Sequence, residues 1–388
     1  MLALHEAADG WLARVRVPGG RLSAGALLAL AAIAEELGNG LVDLTARANL
    51  QLRGLAPAAA AALAPRLAAV GLLPSTAHDR ARNVLASPLA GRAPDALDDV
   101  DSVVALLDEQ VSANRLLSEL PGRFCFLVDD GTGAGREIGP DVTVLARGGG
   151  CFGVALDSRP LEFEGDGAAA VAVALGAAGA FVMQRGDAWR LSETPGGAGT
   201  IAAALGLGLA PVTRAARTRG FGPGTIEQRD GRVALTALAP LGQLGPELLR
   251  ALAGVSDDVR LSTWRTVTLV DLDPGAVQDT REALAAAKLV MDRASGWVGL
   301  TACAGTGRCA RAQADVRRAA AERALARAAT EPAEHWAACE RRCGEVPGTP
   351  VAVAVNDDGD VEVRADARTW HVPSLEHAAA SLLVESSR

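Results

Sequence analysis

The feature that most constrains this 388-residue chain is that it repeats itself. "DGWLARVRVPGGRLS" from Asp9 is echoed by "DGRVALTALAPLGQLG" from Asp230, and "DLTARANLQL" by "RLSTWRTVTLV", which sets Arg47 beside Arg265. Further on, "LPGRFCFLVDDG" at Leu120 is echoed by "VPGTPVAVAVNDDG" at Val346. Self-similarity over such a span implies two copies of a two-part unit rather than a string of unrelated domains. The expected segments are 1–75, 76–210, 211–280 and 281–388. In the first, "GWLARVRV" reads as a strand, Ser23 as the cap of a helix stopped by Gly38 or Gly40, "LVDLTARANLQLRGL" as an alternating strand and "APAAAAALAPRLAAVGLL" as a second helix, an α+β unit.

The copies differ in one respect. The second holds four of the chain's six cysteines, Cys303 and Cys309 in "TACAGTGRCARAQ" and Cys339 and Cys343 in "HWAACERRCGEV". The start "MLALHEAADG" has neither a basic nor an apolar signal region, so a cytoplasmic, reducing setting is expected, in which clustered cysteines read as metal ligands. Cys125 and Cys151, alone in strand-like segments, read as core thiols. Four thiolates can wrap a 4Fe-4S cube where Ala304, Gly305 and Gly307 let the backbone close in, and the helical run after Cys309 would turn its positive end to the cluster. Structural zinc prefers gaps of two to four residues, which the first pair exceeds. None of the five histidines forms a ligand-spaced pair, and each reads as a surface or structural residue.

A net charge of −8 argues against nucleic acid as a partner, and the apolar run from Ala168 to Met183 reads as a buried helix rather than a membrane span. Any cationic site must be local. In "LVDLTARANLQLRGL" the positions Asp43, Thr45, Arg47, Asn49, Gln51 and Arg53 alternate with apolar ones, which places them on one face of a strand. A solvated sheet face would also explain this. Two arginines framing two amides nevertheless suit a ligand with several carboxylates, which guanidinium grips in a bidentate fork. Arg80 and Arg82 in "HDRARNVLASP" and Arg123 in "LPGRF" add cations. "GTGAG" at Gly131–Gly135 opens no helix and reads as a hairpin, so reducing equivalents would come from a separate protein.

The cysteine pairs, "LTARANLQLRG", "ARNVLASP" and "LPGRF" together resemble the nitrite and sulfite reductase superfamily, most closely its cobalamin-pathway branch, the precorrin-3B synthases. The resemblance implies two ferredoxin-like half-domains and two α/β units in a pseudo-two-fold arrangement. It implies a 4Fe-4S cluster on Cys303, Cys309, Cys339 and Cys343, with siroheme or a mononuclear non-haem iron as the further iron group, beside Cys343. It further implies a tetrapyrrole held between the halves, with Arg82 and Arg123 as catalytic residues and Arg47, Asn49, Gln51, Arg53, Arg80, Asn83 and Arg265 as substrate-binding ones. The external electron donor would be a ferredoxin or an NAD(P)H-linked reductase. The implied reaction hydroxylates carbon 20 of precorrin-3A with dioxygen and closes a γ-lactone. Where the reductases carry two lysines in "LPRKFK", this chain reads "LPGRFC", and Lys288 is its only lysine, which counts against sulfite or nitrite reduction. "AACERRCG" also departs from the reductases' last motif, which has small residues and proline between its two cysteines.

Overall fold

The structure, a computed structural model, describes residues 3–212, 220, 222–365 and 368–386. Among the described residues the strands form four five-stranded sheets, two built on each plan, so the duplication is real in three dimensions. The first sheet runs Leu4–Ala7, Gly10–Val15, Leu50–Leu55, Val42–Leu44 and Gln243–Leu244, and its twin runs Gly224–Glu227, Val233–Leu238, Thr266–Leu272, Val259–Leu261 and Arg21–Leu22. Each copy therefore lends the other its last strand, with Gln243 opposite Asp43 and Arg260 opposite Arg21.

Ser23 caps the helix Ala24–Leu37 as the sequence predicts: its Oγ accepts from the Ala26 N–H at 3.2 Å, and the helix ends at Gly38. This helix packs on its twin, Pro246–Val255, and Leu27, Leu30, Leu248, Leu249 and Leu252 join one core with both sheets. Burying a leucine contributes about 1.5–3 kcal/mol. Such a shared core makes the two halves one body rather than two independent domains.

The remaining units repeat another plan. Val84–Ala86, Phe126–Asp129 and Val142–Gly148 lie parallel and are followed by the antiparallel strands Cys151–Leu156 and Arg159–Gly165. In the second copy Leu300–Ala302, Glu334–Ala337 and Val351–Val355 are the parallel strands, followed by Val361–Ala365 and Arg368–Val372. The helix Gly167–Gln184 is apolar and long enough, by length and composition alone, to cross a membrane. It lays Ala170, Val171, Ala174, Ala177, Ala178 and Phe181 into the core of the first of these units.

Five expectations change. "LVDLTARANLQLRGL" is a hairpin, not one strand: Thr45 Oγ1 accepts from the N–H groups of Arg47 (3.3 Å) and Asn49 (3.2 Å), and Ala48 takes a left-handed φ of 51°. The same turn recurs with Ser262 in place of Thr45, so Arg265 (φ 59°) matches Ala48, and Trp264 rather than Arg265 matches Arg47. By strand order, the twin of Phe126–Asp129 is Glu334–Ala337, so the Leu120 and Val346 echo is one strand out of step. Since Phe126–Asp129 and Val142–Gly148 are parallel, "GTGAG" lies in a crossover rather than a hairpin. A division at residue 280 would also cut the helix Val277–Ala286, which packs on Pro246–Val255.

Candidate functional site

The cysteine loops leave the C-terminal ends of two adjacent parallel strands, Leu300–Ala302 and Glu334–Ala337, the end at which open α/β sheets place ligands. Cys303 N–H continues the ladder to Trp336 O at 3.0 Å, and Ala338 N–H donates to Cys303 Sγ at 3.2 Å. Gly305 and Gly307 carry left-handed φ values of 75° and 78°, which turn the chain back so that Cys309 N–H reaches Gly305 O at 3.1 Å. Burial raises the Cys303 thiol pKa, with Cys343 and Cys339 adding to the rise, while the Ala338 and Gly305 amides oppose it. Burial likewise raises Cys343, joined by Cys339 and Cys309 and opposed by Arg341 and Arg123. Cys303 and Cys343 are thus held as neutral thiols with other cysteines near them, a bias that a bound cation would reverse.

Among the described residues no three His, Cys, Asp or Glu side chains sit close enough to hold a single ion. The donor set itself, four thiols on two loops at one end of a sheet, is of the chemistry that iron–sulfur clusters take. The helix that follows begins only at Val316 and is capped by Asp315, whose Oδ1 accepts from Arg318 N–H at 3.1 Å. The expected helix end facing the cysteines is therefore taken by a carboxylate.

The loop of Cys309 is latched to the first copy. Arg308 Nη2 donates to Asp43 Oδ2 at 2.7 Å, and Arg53 Nη2 donates to the Arg308 carbonyl while binding Asp9 bidentately at 2.9 Å. Arg308 Nη1 is buried and unpartnered, a spare donor one residue from Cys309. If a cluster sits here, Arg308→Ala removes a nearby positive charge. Its midpoint potential should then fall, by on the order of 40 mV for about 1 kcal/mol of lost Coulomb stabilisation. Redox titration by electron paramagnetic resonance reads this directly, and an unchanged potential removes Arg308 from the account.

A cationic face adjoins these loops. Arg14 and Arg16 share one side of an extended segment, with Arg14 opposite Gln51 in the register. The Arg16 pKa falls to about 10, mainly through burial and then through Arg47. Arg47 is lowered by burial and by Arg190 and Arg123, with Cys125 and Asp141 opposing. Arg14 feels the Cys343 thiol, and Cys343 feels Arg123, so this face and the cysteines meet. Two buried donors on it, Arg16 Nε and Arg47 Nε, have no protein partner.

The Cys125 thiol at its centre is pushed up to about 12, chiefly by burial. Because the thiolate is the nucleophile, iodoacetamide at pH 8 should leave Cys125 unmodified in the folded protein and modify it after unfolding in urea. Native labelling of Cys125, read by peptide mass mapping, contradicts this placement.

Of the anticipated residues, Arg47, Asn49, Gln51, Asn83 and Arg123 gather at this face, and Arg80 lies beside it next to Gly122 and His5. Arg82 does not: it is 2% exposed, binds Asp108 bidentately at 2.7 and 2.8 Å and donates to Leu72 O, so three of its five N–H donors are taken and the side chain is turned away from solvent. Arg53 belongs to the latch. Arg265 is buried near Gly344, the residue after Cys343, and near His335, and its pKa falls to about 10 through burial and Arg317. His335 is buried, its Nδ1 2.8 Å from Thr301 Oγ1, and is structural. Sequence reasoning missed Arg14, Arg16 and Arg190. The two-residue spacing in "ARVRV" carried a signal for the first two; Arg190, on a loop, had none.

Residues 5–70 and 226–287 each match the nitrite/sulfite reductase ferredoxin-like half domain. The fold matches the structure of the Mycobacterium tuberculosis NirA protein with a TM-score of 0.79, over 95% of this chain and 79% of that one, at 18% identity. The half domain is thus present twice on this fold, the two copies together spanning about a third of the chain. Among individual relatives, precorrin-3B synthase from Sinorhizobium sp is 35% identical over 126 residues, covering 32% of this chain and 27% of that enzyme. Ferredoxin–nitrite reductase from Synechococcus elongatus is 35% identical over 127 residues, 31% of this chain and 25% of that enzyme. The chain thus covers under a third of the length of these curated relatives.

Proposed function

We propose that the chain is an oxidoreductase of the precorrin-3B synthase type, a monooxygenase of aerobic cobalamin synthesis. The observation that carries this reading is a face of arginines without lysine, set against four convergent thiols. Cys303, Cys309, Cys339 and Cys343 would hold the 4Fe-4S cluster, with siroheme or a mononuclear iron next to Cys343. When bound, the iron groups supply electrons one at a time to dioxygen.

The chain's own residues then have defined tasks. Arg14, Arg47 and Arg123 carry fixed positive charge, bind the carboxylates of the macrocycle and hold carbon 20 in one register. Guanidinium stays protonated, and the Cys125 thiol with its pKa of about 12 stays neutral, so this face orients substrate without delivering protons. Precorrin-3A, dioxygen, two electrons and two protons would give the C20-hydroxylated γ-lactone and one water, the electrons coming from a ferredoxin or an NAD(P)H-linked reductase. The test is to supply cluster-loaded protein with precorrin-3A, a reductant and ¹⁸O-labelled dioxygen. The reading expects one labelled oxygen in the product, and no oxygenated product overturns it. The equal identity of the Synechococcus nitrite reductase favours a second reading, a siroheme-dependent reductase, which expects a siroheme absorption spectrum and consumption of nitrite or sulfite.

A further inference from the structure

Asn49 and Asn83 stand among the arginines, where direct contact with a ligand would be the first guess, but their geometry assigns them another task. Asn83 is 0% exposed and Asn49 is 4% exposed. Asn83 Oδ1 accepts from Arg16 Nη1 at 3.1 Å and from Asn49 Nδ2 at 2.8 Å, and Asn83 Nδ2 donates to Phe124 O at 3.0 Å. Asn49 Oδ1 accepts from Val17 N–H at 3.0 Å, and its Nδ2 also donates to Arg47 O at 2.9 Å. A primary amide offers two donors and one acceptor oxygen, so almost none of this capacity is left for substrate.

The partners come from three separate segments. They are the strand end bearing Arg16, the turn bearing Arg47, and the segment in which Arg123 precedes Phe124. Arg16 Nη2 donates to Gly122 O at 2.8 Å, which ties the first segment to the third a second time. The ladder between the first two ends one residue away, at Val15 opposite Leu50, and among the described residues no strand pairing joins either of them to the third. We propose that Asn49 and Asn83 are positioning residues: their amide-to-amide bond sets the spacing of Arg16, Arg47 and Arg123, and with it the preference of the site for a macrocycle rich in carboxylates. This rests on the tetrapyrrole reading above. The clamp can hold like charges together because it fixes the Arg16 guanidinium directly and pins the backbone at Arg47 and next to Arg123, whereas arginines on unpinned segments would drift apart to relieve the repulsion.

Uroporphyrin I, with eight carboxylates, and coproporphyrin I, with four, serve as probes, titrated by absorption into the whole cluster-loaded protein. The wild-type protein should bind the eight-carboxylate ring more tightly. Asn83→Ala and Asn49→Ala should each cut that preference about tenfold with iron content unchanged. The double variant should lose no more than either single one, because both break the same bond. A purely structural role would lower thermal stability and weaken both rings equally. An unchanged preference in whichever single variant folds overturns the positioning role alone. If the wild-type protein binds neither ring, the tetrapyrrole reading falls and the clamp falls with it.

Discussion

Replacing Cys303, Cys309, Cys339 or Cys343 with serine will leave the protein folded and strip it of iron, from about four atoms per chain to fewer than one. The fold survives because the core of this unit is Trp336, Val353, Val361 and Val363 behind the loops; Cys303 only packs against its edge, where serine is nearly the same size, and Cys309, Cys339 and Cys343 are not part of it. Iron is lost because a serine hydroxyl stays protonated at neutral pH, whereas a cluster needs an anionic ligand at each corner. The raised pKa values of Cys303 and Cys343 point the same way, since these thiols become thiolates only when a cation is there to hold them. Iron and sulfide analysis of the four variants, with circular dichroism as the check on folding, measures this. Full iron content in all four would show that these cysteines are not the ligands.

Arg47→Ala will weaken tetrapyrrole binding by roughly 2–3 kcal/mol, about 30- to 150-fold, the value of a buried charged hydrogen bond. Arg47 is singled out because its Nε is a buried donor without a protein partner, while its turn is fixed independently by Thr45 and Asn49. Arg47→Lys should recover little, since an ammonium cannot make the planar two-point contact. Arg82→Ala is the contrast. It breaks the bidentate pair with Asp108, so its effect, about 2–3 kcal/mol, should appear in thermal stability rather than affinity. Titration with uroporphyrin I and thermal melts of the same samples separate the two. An Arg82 variant that melts like wild type but fails to bind would restore Arg82 to the substrate face.

Much of this was legible in the chain itself. The duplication followed from repeated strand patterns and the first helix from Ser23 and Gly38, and the proposed ligand set rests on cysteines that gather in one copy only. Arg47 could be placed on the cationic face because alternation survives a turn: in the hairpin Asp43 still faces Gln51 across two strands, as it would along one. The hairpin itself was hidden because the Thr45 hydroxyl turn contains no glycine or proline. The exchanged strands Arg21–Leu22 and Gln243–Leu244 are too short to leave a periodic trace. Arg80 and Arg82 look alike in sequence and part company only because Asp108, on the helix Asp101–Ala113, captures one of them. That choice is tertiary, and no local pattern encodes it. The second copy's Arg265 was misread for a related reason: a one-residue offset in aligning the turns moved it onto the position Trp264 holds.

What remains to be measured is whether the four cysteines hold an iron–sulfur cube beside the face of arginines. Protein purified without air and reduced with dithionite, then examined by electron paramagnetic resonance, tests it most directly. The account predicts the spin-half signal of a reduced 4Fe-4S cluster, matched by about four irons and four sulfides per chain. A silent spectrum from protein that carries stoichiometric zinc and no sulfide would contradict it.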